Sequence, residues 1–389
     1  MTCAYTVEIC FEICYTVMGN VFYTGGGYVS VQASSDNALP KERLRLTELS
    51  YLNVLFTLMV ICIHIMSEPI STLDKSSLQY FAVFAPWKLF QFVTQAFVFL
   101  SGVKLFIKAG DGIDVRKFYI GRIKRVILPY LAWVIVYYLY FVGIGWYSFS
   151  LSELLHYMIF GDLASHFYFV IIICQFYLLT PLFARIFKRC SPWILSVYAL
   201  FISLIFGEFL PQILGFISPK LAFTYNDRLF TTYLFYFVIG AAVGTNYKEV
   251  IDRLRKAKIT VYSMFIFFTV LNLVLSYLTY SGKVYIHWIY TLHFAYSVSA
   301  IAAFLTFAAG FTVKRPTLPK AVKLADASSY MLYLSHILII FAGRYFIIDR
   351  ITTDIGVRFV ITLAILAVYT VVSTAVWSFV KAKMRRTRK

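Results

Sequence analysis

Apolar residues come in long runs along this chain, separated by short polar connections rich in Lys and Arg. A helix crossing the hydrocarbon core of a bilayer needs about 20 mostly apolar residues. Ten stretches meet that length, at roughly 47–67, 87–107, 126–146, 167–187, 193–214, 229–247, 259–280, 288–310, 329–348 and 357–380. The pattern predicts an all-α fold, a polytopic transmembrane bundle of about ten helices. The segment LSELLHYMIF at 151–160 is too short to span and reads as an interfacial or re-entrant piece. No connection is long enough to hold a folded domain, and no internal repeat is evident. The expected organisation is an N-terminal extension and basic flank over 1–46, the bundle over 47–380, and a basic tail over 381–389.

The charges then orient the bundle. Counting the last turn of each span with the connection it enters, 28 of the 36 basic residues fall on the side shared by the two termini. Lys and Arg collect on the cytoplasmic side of membrane proteins, so both termini are predicted cytoplasmic. Composition agrees, with 60% hydrophobic and only 14% charged residues, against roughly 25% charged in a soluble domain. In a soluble chain a formal charge of +18 would suggest nucleic acid. Here the basic residues flank spans, so the expected partner is the lipid bilayer and no nucleic acid. The first 40 residues carry Glu8, Glu12 and Gly25-Gly26-Gly27 without a basic segment ahead of an apolar core. They read as a poorly ordered extension, not a cleaved signal peptide. The six cysteines have no metal or redox spacing.

Polar groups at membrane depth are costly and mark functional sites. In the first span, ELSYLNVLFTLMVICIHIMSE, residues Asn53, Thr57 and His64 fall within roughly 40° of one another at about 100° per residue. One helix face thus carries Asn, Thr and His, with His64 about 16 Å along the axis from Asn53. An imidazole exchanges protons near neutral pH, as a general base for acyl transfer must; the plainer reading is an interfacial histidine that only packs. At the basic mouth of the third span, Arg122 and Arg125 are spaced i, i+3 and are expected on one face. Guanidinium forks suit phosphates, although such residues also serve simply as orienting charges. Pro129 cannot donate to the Arg125 carbonyl, which predicts a kink. His156, His166 and His287 fall on the outer side; with His64, they form a candidate outer pocket. No local spacing supports a metal site. Glu208 and Arg344 read as internal pairing groups. His336, placed about two turns into the ninth span, reads as a core histidine.

Five stretches, taken in order, resemble the acyltransferase-3 family of bacterial membrane O-acyltransferases. They are Glu48-Leu49-Ser50-Tyr51-Leu52-Asn53 running on to His64, Phe97-Val98-Phe99-Leu100-Ser101-Gly102, Phe118 to Pro129, His166-Phe167-Tyr168-Phe169 to Pro181, and Ser329 to His336. The branch containing the intercellular adhesion C protein, which modifies poly-N-acetylglucosamine, looks most similar. The resemblance implies a protein of the bacterial plasma membrane. It would transfer an acetyl- or succinyl-class group from cytoplasmic acyl-CoA to a carbohydrate or lipid-linked glycan. Acyl-CoA would be a co-substrate, with no bound cofactor. His64 matches the family's essential histidine, and Arg122 and Arg125 match its Arg-x-x-Arg element. One position departs: the family usually has Arg eleven residues before that histidine, where this chain has Asn53. Two other functions remain open on the sequence: an exporter or flippase of surface polysaccharide, and an inactive relative acting as a scaffold.

Overall fold

The computed structural model describes residues 46–107, 113–218, 225–314 and 317–386. Among these residues the chain is helical with no strand, and ten helices are long and apolar enough to cross a bilayer. They are α1 (Thr47–Thr72), α2 (Leu78–Phe106), α3 (Val115–Gly143), α4 (Tyr168–Ile186), α5 (Pro192–Ile217), α6 (Asn226–Thr245), α7 (Lys258–Tyr280), α8 (Ile289–Lys314), α9 (Lys320–Ile351) and α10 (Ile355–Arg386). The extension expected over 1–46 lies, but for Leu46, outside the described residues, as do residues 387–389 of the expected tail. The rest of that tail continues α10 as helix to Arg386. Successive helices run in opposite directions through short connections. The helix ends bearing Lys104, Arg125, Arg185, Lys258, Lys314 and Lys320 therefore share one face, the basic face.

Two helices start well before their apolar runs suggest. The first piece of α2, Leu78–Phe90, keeps Pro86 within the helix and buries Lys88. The Lys88 ammonium donates to Gln91 Oε1 at 3.2 Å and lies 5.5 Å from the centre of the Tyr280 ring. A second piece, Val93–Phe106, completes the span. α9 begins at Lys320, nine residues before 329, because the charged stretch KAVKLADAS is helical too. Its depth scale shifts accordingly.

The bend expected at Pro129 takes the form of a π turn. Over Ile123–Ile127 the ladder widens, and the Leu128 amide donates to the Ile123 carbonyl five residues back. Such turns absorb the donor that proline lacks. A second π turn, Ile205–Phe209, precedes Pro211 in α5 and carries the buried Glu208. There the Glu208 carboxylate accepts the Thr291 amide at 2.7 Å and hydroxyl at 3.1 Å, capping the start of α8.

α6 lies against the second piece of α2 and against α5, forming the centre of the core. The α2–α6 contact is a backbone approach. A Cβ on Gly102 would overlap the Phe237 carbonyl, and one on Gly240 would overlap that of Phe99. Small residues allow such helices to touch inside a membrane. Between α3 and α4, Leu151–Phe160 forms a helix capped by Ser150 and ended by Gly161 at φ 70°. Leu151, Leu155 and Ile159 are exposed along one side of it, as an interfacial helix requires. On the face away from the basic ends, Glu68 joins α1 to Arg344 of α9 at 2.9 Å and to Arg358 of α10 at 2.8 Å.

Candidate functional site

α1 turns its Asn53–Thr57–His64 face towards two cavities, one near each end of the bundle. The cavity nearer the basic face has a volume of about 290 Å³ and is lined by Asn53, Thr57, Ser101, Lys104, Arg125, Tyr177, Asp326 and Ser329 among others. Asn53 is its hub. Its Nδ2 donates to Asp326 Oδ1 at 2.8 Å and to Ser329 Oγ at 3.2 Å, while Lys104 Nζ donates to its Oδ1 at 3.3 Å. Ser50 Oγ donates to the other Asp326 oxygen at 2.9 Å. Arg125 enters the cavity from the π turn of α3. The Tyr330 hydroxyl holds that turn by donating to the Val126 carbonyl at 2.9 Å.

The second cavity, about 360 Å³, is lined by His64, Gln91, Thr94, Gln95, His166, Tyr168, Tyr233 and His293 among others. Phe97, Phe169 and Tyr333 line both cavities. Phe169 lies 5.8 Å, centre to centre, from each of the other two rings. The two hollows therefore share a wall that includes this layer of three aromatic rings.

Three imidazoles meet beside this layer. The His64 ring is 5.1 Å from His336 and 6.2 Å from His166, and those two are 5.0 Å apart. His64 is half-buried, whereas His166 and His336 are buried. Their tautomers follow from the backbone. His336 Nδ1 donates to the Tyr333 carbonyl at 2.8 Å, and His166 Nε2 donates to the Leu334 carbonyl at 3.2 Å. Each thus keeps a lone pair on its other nitrogen. Those two atoms, His336 Nε2 and His166 Nδ1, have no hydrogen-bond partner among the described residues. Burial pushes His166, which precedes α4, well below the ordinary imidazole range, and its neighbours His336 and His64 act in the same direction. Tyr137 fixes the α9 segment involved: its hydroxyl donates to the Leu334 carbonyl at 3.0 Å and accepts the Leu338 amide at 2.8 Å. The Tyr333 hydroxyl donates to the His166 carbonyl, tying the segment to the start of α4.

The sequence-derived candidates separate. Asn53 and Thr57 line the first cavity, while His64 and His166 line the second. Arg122 and Arg125 do not face the same space. Arg125 lines the first cavity, whereas the Arg122 guanidinium packs between Phe118 and Tyr177, 5.0 and 4.7 Å from the ring centres. The π turn that starts directly after Arg122 alters the i, i+3 geometry on which the shared face rested. His287 is exposed against Tyr285 and lies outside the second cavity; His293 lines it instead. His156 pairs with Asp162 at 3.2 Å on the surface. His336 belongs with His64, about 24 Å into α9 at 1.5 Å per residue, and much deeper than a start at 329 suggests. Lys104, Asp326 and Tyr333 went unnoticed as site residues. Among the described residues no group of His, Cys, Asp and Glu is arranged to hold a metal ion.

A family model described as an acyltransferase domain, that of the acyltransferase-3 family, matches residues 46–380. Neither the comparison with curated proteins nor that with solved structures gives a match.

Proposed function

Because this multi-pass membrane protein belongs to the acyltransferase-3 family, we propose that it moves an acetyl- or succinyl-class group from cytoplasmic acyl-CoA to a hydroxyl of a cell-surface polysaccharide or lipid-linked glycan. The supporting observation is the pair of cavities on one face of α1, with Arg125 in one, His64 in the other, and three aromatic rings lining both. In this reading the basic face and both termini are cytoplasmic and the bilayer is the bacterial plasma membrane. Arg125 meets the donor's phosphates, and Arg122 stiffens Tyr177 in the cavity wall behind it. The donor's thioester arm passes Phe97, Phe169 and Tyr333 to reach His64.

At His64 the acceptor oxygen attacks the thioester carbonyl. A C–O bond forms and the C–S bond breaks. His64 takes the hydroxyl proton and returns it to the departing thiolate. Gln91, Thr94, Gln95 and Tyr168 offer the second cavity amide and hydroxyl groups suited to a sugar. The likeness to the intercellular adhesion C branch favours a poly-N-acetylglucosamine-type acceptor. A polymer exporter would need a continuous polar path, and a ring layer between hollows of about 290 and 360 Å³ fits a slender arm better.

The test is transfer of labelled acyl groups from acyl-CoA into envelope carbohydrate. His64→Ala should abolish incorporation, with the protein still in the membrane and polymer still present outside the cell. Full incorporation by the variant would sink the assignment of His64 as base. Lost polymer with normal incorporation would favour export.

A further inference from the structure

One cation in the network of the first cavity is a residue that the sequence motifs do not single out. Lys104 sits in the last turn of α2. The close approach of Gly102 to α6 fixes the rotation of this helix. At about 100° per residue, Phe97, Leu100, Ser101 and Lys104 all lie roughly 160–260° around from Gly102. All four line the first cavity. The backbone contact on one side of α2 therefore aims Lys104 at the cavity on the other.

There the ammonium donates to Asn53 Oδ1 at 3.3 Å. An ammonium has three N–H donors, so among the described residues two remain to serve another group. Asp326 Oδ1 accepts from Asn53 Nδ2 and its Oδ2 accepts from Ser50 Oγ, and the Asn53 amide bridges Asp326 and Lys104. The amide is thereby locked with its oxygen towards Lys104. Arg125 presents a second cation to the same 290 Å³ space. Two cations facing one cavity, one of them held by an oriented amide, form a site for an oxyanion with several acceptor atoms.

We infer that Lys104, with Arg125, binds a phosphate group of the acyl donor, and that Asn53 is the positioning residue that aims Lys104. The inference rests on the donor reading above. It also gives the missing charge at position 53 an explanation, since the neighbouring helix supplies a cation to the same place.

Phosphate could come from the donor or from a lipid headgroup, and binding measurements separate them. The full chain is placed in phosphatidylcholine nanodiscs and titrated with coenzyme A and with pantetheine, which lacks the phosphates. Wild type should bind coenzyme A more tightly than pantetheine. Lys104→Met should weaken coenzyme A binding about tenfold, the scale of one charge-assisted hydrogen bond, and leave pantetheine binding unchanged. Unchanged pantetheine binding also shows that the variant is folded. Lys104→Arg should stay near wild type, and Asn53→Leu should follow Lys104→Met. Wild-type coenzyme A affinity in Lys104→Met would overturn the assignment while leaving the donor reading intact. Failure of wild type to bind coenzyme A at all would overturn both. Phosphatidylglycerol protection of wild type but not Lys104→Met, unopposed by coenzyme A, would assign the phosphate to a lipid and overturn the donor assignment.

Discussion

Among single residues, the histidines are the most consequential. His336 Nε2 and His166 Nδ1 each carry a buried lone pair within one ring's reach of His64. A neighbouring acceptor orients a catalytic imidazole and stabilises its charged form. His336→Asn should lower kcat about a hundredfold and leave the donor KM unchanged in steady-state kinetics normalised to the folded fraction; a kcat restored to wild type by that normalisation would mean that the residue only holds the fold. Part of this was legible beforehand. The Asn53–Thr57–His64 face follows from helical periodicity within one segment, and His64 needed nothing more. The meeting of His64 with His336 and His166 joins two helices and the turn ahead of a third, and no local pattern encodes it. His336 was also misplaced in depth, because the charged start of α9 looks like a loop to a hydropathy criterion. His293 was within reach, being an ionisable group inside an apolar run. The Asp326–Asn53–Lys104 chain was not: it links positions 273 apart in one bond.

At the level of elements, backbone geometry sets where those side chains go. The π turn ahead of Pro129 brings Arg125 into the cavity while Arg122 stays stacked between two rings. Proline at 129 announced an irregularity, but not whether the helix would bend or widen. The glycine contact between α2 and α6 is stricter. Gly240→Leu forces a side chain against the Phe99 carbonyl, part of a backbone that cannot swing aside. A loss of about 3 kcal/mol is expected, visible as a lower Tm in detergent and as weaker coenzyme A binding through the displaced Lys104. The ion cluster on the opposite face acts differently. Glu68 receives two guanidinium groups and is partly screened by solvent. Glu68→Ala should cost about 1–3 kcal/mol, loosening α10 from α1, with coenzyme A affinity retained in the same titration.

For the whole molecule, sequence and structure agree most closely, because the constraint is physical and repeated. Each crossing must bury its own backbone hydrogen bonds in an apolar run, and all ten runs emerge as helices. Their ends were harder to place, since helices continue into charged flanks that hydropathy excludes. The orientation inferred from Lys and Arg is directly testable. Cys190 is exposed between α4 and α5 at the basic face, and Ser76 is exposed between α1 and α2 at the other. In intact cells, an impermeant maleimide should label Ser76→Cys and spare Cys190 until the membrane is opened. The reverse pattern would invert the assigned topology.

Phe97, Phe169 and Tyr333 also have an electrical duty. The two hollows share Phe97, Phe169 and Tyr333 as lining, and on the proposed route these rings are what stands between the two sides of the membrane. A membrane held at 100 mV does work of about 2.3 kcal/mol on every charge that crosses it, so a gap there would run as a shunt. On the proposed route the rings must part for an acyl arm and still refuse protons between turnovers. Replacing Phe97 and Phe169 together by Ala should make proteoliposomes collapse an imposed pH gradient, while wild type holds it. Tightness to protons, as much as transfer itself, is what so thin a layer has to provide.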